Sequence, residues 1–274
     1  MADQVLEGSG GLRFDLSVMD RRRALTLLGG GAVALLVGCT SDAETGDAEA
    51  GTSSTAETSA TVGRAEIFPE EMAGPYPADG SNGLNVLAEQ GVVRQDIRSS
   101  FGSSDTTAEG VSLVIEINLL DSARGAPLAG AAVYLWQCDR EARYSLYSEG
   151  VTGQNYLRGV QASDADGRVT FTSIFPAAYS GRWPHLHFEV YESLDAATGG
   201  GAPSATSQIA LPEEACDSVY ETAGYEQSKI NMAQTPLEDD VLFGDDGAEQ
   251  QMGTTTGNPS EGYVLIVSVP VDAA

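Results

Sequence analysis

The stretch HLHFEVY, His185–Tyr191, carries the fold and the candidate chemistry together. Seven residues rich in aromatic and apolar types follow the turn-forming SGRWP, Ser180–Pro184, and read as a β-strand. On a strand, residues i and i+2 share a face. His185 and His187 therefore stand side by side while Leu186 points the other way. They are the only 2 histidines in the 274-residue chain. Paired imidazoles on a rigid element can begin a metal shell; two packed or surface imidazoles are the plainer reading.

Working outward, further short strands are expected at VSLVIEINLL (Val111–Leu120), AAVYLWQC (Ala131–Cys138), RVTFTSI (Arg168–Ile174), TSQIAL (Thr206–Leu211) and YVLIVSV (Tyr263–Val269). DADG, Asp164–Gly167, reads as a turn, because it lacks the remaining acidic ligands of a calcium loop. The segment 213–229 has room for a short helix. Short strands separated by turn signals predict an all-β chain, an antiparallel β-sandwich of prealbumin or immunoglobulin type, with long loops and at most short helices.

Forty acidic side chains against 14 basic ones give a net charge of −26. Such a surface repels phosphate backbones, which argues against nucleic-acid partners.

The N-terminal region has a different character. RRRALTLLGGGAVALLVGC, Arg21–Cys39, sets a basic cluster before an apolar run. As a helix, Ala24–Gly38 spans about 22 Å, short of the roughly 30 Å hydrocarbon layer. It reads as a cleaved signal rather than a permanent span. The arginines resemble a Tat signal and LVGC a lipobox. Residues 1–38 are thus expected to be a Tat-type lipoprotein signal, with Met19 a second candidate start. Residues 39–63 are expected to be a lipidated Cys39 and a disordered linker, because the linker is too poor in apolar residues to offset chain entropy. Residues 64–274 are expected to form the remaining domain, exported and lipid-anchored on the outer face of the cytoplasmic membrane, at the cell surface or in the periplasm, touching the membrane only through Cys39.

What completes a shell around His185 and His187? Cys138 and Cys216 are thiol candidates, although an exported protein more often oxidises such a pair to a disulfide. Glu189 continues the same strand face and would make a His-x-His-x-Glu set suited to zinc or ferrous iron. Tyr179, six residues before His185, offers a hard anionic oxygen. Two phenolates and a hydroxide would cancel the charge of ferric iron and cheapen its burial.

Several spaced signatures then occur in order: GPYP at Gly74, APLAGAAVYLWQCDREARYSLY, LRGVQASDADGRVTFTSIFPAAYSGRWPHLHFEV and SQIAL. Together they resemble the intradiol ring-cleavage dioxygenases of the catechol and protocatechuate 3,4-dioxygenase type, from about Arg64 to the last strand. The resemblance implies Fe(III) held on a β-sandwich by Tyr144, Tyr179, His185 and His187, with Tyr147 a weaker competitor for Tyr144. It implies that Tyr179 leaves the metal as substrate binds, that Arg182 faces the substrate, and that Gln208 stands for an active-site glutamine. The implied partners are a small catechol and O2, and the implied product is a muconate-type diacid; a homodimer stays open. Two family glycines are replaced, by Ala142 before Arg143-Tyr144 and by Ala177 in Pro176–Tyr179, which puts both turns in question. The chain lacks the long N-terminal helical region of the catechol enzymes and looks most like a shorter exported branch. The competing readings are a lipid-tethered β-sandwich binding module with a vestigial metal site, and a zinc or ferrous site using Glu189.

Overall fold

The computed structural model describes residues 63–272. The expected signal, the expected lipidation at Cys39 and nearly all of the expected linker lie outside the described residues.

Among the described residues, nine strands form two sheets. In chain order the elements are β1 (Ser112–Asp121), β2 (Ala126–Pro127), β3 (Ala132–Trp136), β4 (Arg158–Ala162), β5 (Arg168–Ile174), β6 (His185–Tyr191), α1 (Leu194–Thr198), β7 (Ala205–Ala210), α2 (Glu213–Tyr220), α3 (Glu226–Ala233), β8 (Thr254–Asn258) and β9 (Gly262–Val271). One sheet runs β2-β1-β9-β8 with β5 also on β1, and the other runs β4-β3-β6-β7. Leu113, Ile115, Ile117 and Leu119 of β1 alternate with less buried residues and meet Leu186, Phe188 and Val190 of β6 in the inter-sheet core. This is the period-2 pattern of a half-covered sheet.

The second sheet differs. Every residue of β3 and β6 is buried. Its inner face packs on the first sheet. Its outer face, with Ala132, Tyr134, Trp136 and Tyr191, is covered by Ala78, Val86, Leu87 and Val92 of the chain before β1. That covering segment has only isolated bridges to the sheets, such as Val93 to Val160 and Asp96 to Thr172. The histidine pair therefore lies beneath a cover on the outer face of a sheet, rather than along an edge of the sandwich.

The all-β sandwich is as expected, with one exception to its antiparallel pairing. β9 runs parallel to β1, from Leu113–Tyr263 to Asp121–Val271. Parallel neighbours need a long crossover, and the whole second sheet supplies it here. The single short helix expected in 213–229 is two helices, α2 and α3. The DADG turn is confirmed: Asp164 Oδ1 accepts from the N–H groups of Asp166 and Arg168. Gly167 there has φ +75°, and a Cβ would lie 2.5 Å from the Leu119 carbonyl oxygen. Cys138 and Cys216 are both buried and free, so the disulfide does not form. Among the described residues, no helix is long and apolar enough to cross a membrane.

Candidate metal centre

Strand register sets out the first row of the site. Trp136 of β3 pairs with His187 of β6, which pairs with Gln208 of β7. Directly paired residues share a face, so these three side chains stand abreast. The Trp136 ring stacks on the His187 imidazole, 5.0 Å between centroids and 8° between planes. On the other side, Gly74 of the covering GPYP segment comes so close that a Cβ there would sit 3.3 Å from His187 Cε1. His187 is thus clamped between an indole and a backbone. Gly74 also has φ +75°. Gly74→Ala is expected to cost about 1–2 kcal/mol in backbone strain and to displace His187; weaker retention of added metal ion on dialysis, compared with wild type, checks this.

The two tyrosines arrive on loops that meet at Asp139. Its Oδ1 accepts from the N–H groups of Glu141 and Arg143, and its Oδ2 from Arg143 Nε and the Tyr156 hydroxyl. This buried carboxylate winds residues 139–144 into the turn that delivers Tyr144. The Asp139 carbonyl accepts from Ala177 N, at the start of the loop carrying Tyr179. α3 holds that second loop by Ser228 Oγ on Ala178 N and Asn231 Nδ2 on Ala178 O. The two lost glycines fare differently. Ala142 sits at φ +64°, where glycine is at ease, whereas Ala177 is not among the positive-φ residues and needs no glycine. Ala142→Gly should relieve about 1–2 kcal/mol of strain and return about 0.4–1 kcal/mol through the unfolded chain. A small net rise in the denaturant midpoint is the expected result.

Four polar tips converge. Tyr144 Oη lies 2.9 Å from His187 Nε2, Tyr179 Oη 3.0 Å from His185 Nε2, the two Nε2 atoms 3.1 Å apart and the two hydroxyls 3.4 Å apart. His185 Nδ1 donates to the Trp183 carbonyl at 2.6 Å, which leaves its Nε2 lone pair aimed into the cluster. His187 Nδ1 is buried without a hydrogen-bond partner. Burial pushes both phenols well above their ordinary range and both imidazoles well below theirs, with Arg182 adding to the depression at both histidines. Without a cation all four groups are therefore neutral. Edges of about 3 Å enclose a point about 2 Å from each atom, the bond length of a first-row metal ion to nitrogen and oxygen. The donor set, two imidazoles and two ionisable phenols, fits a hard, highly charged ion.

The alternatives do not converge. Tyr147 accepts from Ala78 N at 2.8 Å and donates to Asn82 Oδ1 at 2.9 Å, facing the covering segment. The Glu189 carboxyl accepts from the Tyr191 hydroxyl at 2.6 Å. Among the described residues no group of three or more His, Cys, Asp or Glu side chains is placed to hold a metal, so the His-x-His-x-Glu set is not built.

Arg182 and Gln208 are joined beside the cluster, by Arg182 Nη2 to Gln208 Oε1 at 2.7 Å. Arg182 Nε also donates to Asp240 Oδ2 at 2.9 Å, a pair with side-chain exposures of 1% and 0%. The Phe243 ring lies near both the Arg182 guanidinium, at 5.6 Å, and the His185 ring, at 6.3 Å. Sequence reading missed Asp139, Asp240 and Arg158. Arg158 is fully buried and donates to Ser145, Pro77 and Tyr134, tying the Tyr144 loop to the GPYP segment. A carboxylate among 40 acidic residues carries no local signal, and Arg158 sits in a strand whose pattern was not recognised.

A sandwich that gathers two phenols and two imidazoles under one cover defines a class, and comparison with known proteins agrees. A family profile described as "Dioxygenase" matches residues 89–195. The solved "Intradiol ring-cleavage Dioxygenase from Tetranychus urticae" has the same fold, with a TM-score of 0.59 at 23% identity, covering 76% of this chain and 95% of that one. Hydroxyquinol 1,2-dioxygenase of Rhizobium sp. (strain MTP-10005) is 32% identical over 71 residues, 26% of this chain and 24% of its own. The 6-chlorohydroxyquinol 1,2-dioxygenase of Cupriavidus pinatubonensis (strain JMP 134 / LMG 1197) is 36% identical, over 26% of this chain and 33% of its own. The match thus spans about a quarter to a third of the curated relatives' lengths. The chain carries a dioxygenase profile over residues 89–195 and shares its fold with a solved intradiol ring-cleavage dioxygenase.

Proposed function

We propose that this protein is a non-haem Fe(III) dioxygenase that cleaves a catechol-type ring between its two hydroxylated carbons, using O2 and yielding a muconate-type diacid. The observation that carries the reading is the convergence of Tyr144, Tyr179, His185 and His187 at 2.9–3.4 Å. These four side chains would hold the iron. When bound, Fe(III) would ionise both phenols, accept the catechol oxygens and draw electron density so that the ring reacts with O2.

The chain's own groups supply the rest. Tyr179 is half-buried where Tyr144 is buried, so it is the phenol that a ligand reaches. Its oxygen is suited to take a proton from a substrate hydroxyl. Trp136 and Gly74 hold the His187 ring plane. Arg182, fixed by Asp240 and Gln208, presents a positioned guanidinium toward negative charge that builds on the ring. Phe243 and the covering segment limit water around these groups.

The protein is proposed to work outside the cytoplasm, tethered through Cys39. Arg21–Arg23 and the Leu36–Cys39 lipobox support this, and a folded export route would allow iron loading before transport. The test of the function is oxygen uptake by the iron-loaded protein with a panel of catechols. One O2 consumed per ring opened, with the diacid recovered, supports it; a coloured, iron-loaded protein that consumes no O2 with any catechol overturns it.

A further inference from the structure

We infer that this site selects catechols without a ring carboxylate, and that Glu71 is a specificity-determining residue for that choice; the inference rests on the proposed dioxygenase function.

A substrate carboxylate entering a buried site needs a cation to pair with, because an unpaired buried charge is costly. The guanidinium next to the cluster is already matched, since Arg182 is paired with the fully buried Asp240. Its Nη2 donates to Gln208. The second buried guanidinium nearby, Arg158, is committed to Ser145, Pro77 and Tyr134.

The next ionisable group along the same network is an acid. Gln208 Nε2 donates to the carbonyl of Met72, and Gln251 Nε2 reaches both Gln208 O at 3.3 Å and Glu71 Oε1 at 3.5 Å. Glu71 is therefore one amide removed from the glutamine that holds Arg182. Its backbone N–H is fixed on Thr206 O, along β7. Glu71 is coupled to the charge of Arg182, and the exposed Asp245 and Asp246 act on it with the opposite sign. Burial is the larger effect on Glu71, raising its carboxyl to about 7. Above pH 7, where Glu71 is ionised, a ring carboxylate would meet an arginine already matched by Asp240 and then like charge, whereas an uncharged or hydroxylated ring meets neither penalty.

The test uses the iron-loaded full chain with catechol and 3,4-dihydroxybenzoate, at a pH well above the Glu71 value of about 7 so that its carboxylate is ionised. Binding is followed anaerobically by the change in the visible band, and turnover by oxygen uptake. Wild type is expected to favour catechol by at least about thirtyfold in kcat/KM, and Glu71→Gln to narrow that ratio about tenfold, the scale of one partly screened like charge. The double variant D245N/D246N should narrow it in the same direction by a smaller factor. A ratio unchanged in Glu71→Gln, or a wild type that takes both ligands equally, overturns the inference while the dioxygenase reading stands. If neither ligand moves the band of the wild-type protein, the dioxygenase reading itself falls, and the inference with it.

Discussion

Tyr179→Phe is expected to lower ring cleavage by at least about a thousandfold, within the range for loss of a positioned proton acceptor together with a metal ligand, and to shift the visible band of the iron-loaded protein. The Tyr179 hydroxyl contacts only the cluster, at Tyr144 Oη and His185 Nε2. The loop that carries it is held through its backbone by Ser228, Asn231 and Thr235. Phenylalanine keeps the ring contacts and removes one oxygen. Stability should therefore change by no more than about 1 kcal/mol, which separates lost chemistry from lost folding. Steady-state oxygen uptake and the absorption spectrum measure the two expected effects. Turnover within tenfold of wild type and an unaltered band would show that Tyr179 is no ligand.

Asp240→Ala should cost about 3–5 kcal/mol of stability, the usual penalty for removing one partner of a buried ion pair. Asp240 does more than face Arg182. Its Oδ2 also accepts from Trp183 N at 2.6 Å, and its Oδ1 from Leu242 N and Phe243 N. The variant leaves a desolvated guanidinium and three backbone donors short of their acceptor. Denaturant unfolding gives the loss directly. Removing both charges in R182M/D240L should recover part of it, because a matched apolar pair no longer buries a lone charge. If Asp240→Ala unfolds at the wild-type midpoint, the pair is not what fixes the arginine.

How much of this was legible in sequence depended on whether a feature is local. The His185–His187 pair was readable because strand geometry alone puts i and i+2 on one face. β1, β5, β6 and β9 were readable because each alternates or runs apolar over seven residues or more. β4 was not: its Gly159 has no side chain because Ile97 and Arg94 of the covering segment pass close by, so the pattern is broken where the packing is tightest. β8, TTTGN, is a polar edge strand and carries no apolar signal. The tyrosines came from a family signature, since any of ten tyrosines could have been chosen by composition. Asp240 lies 58 residues from the arginine it neutralises, and only the closed fold brings them together. The cysteine disulfide was an expectation from compartment alone. In the fold, Cys138 Sγ faces the Ala177 carbonyl and Cys216 Sγ the Leu211 carbonyl.

The most direct test is an iron-edge anomalous diffraction map of the iron-loaded protein. The expected result is a single peak within bonding distance of Tyr144 Oη, Tyr179 Oη, His185 Nε2 and His187 Nε2. A peak bound elsewhere, or none at these four atoms in protein that retains stoichiometric iron, would contradict the account.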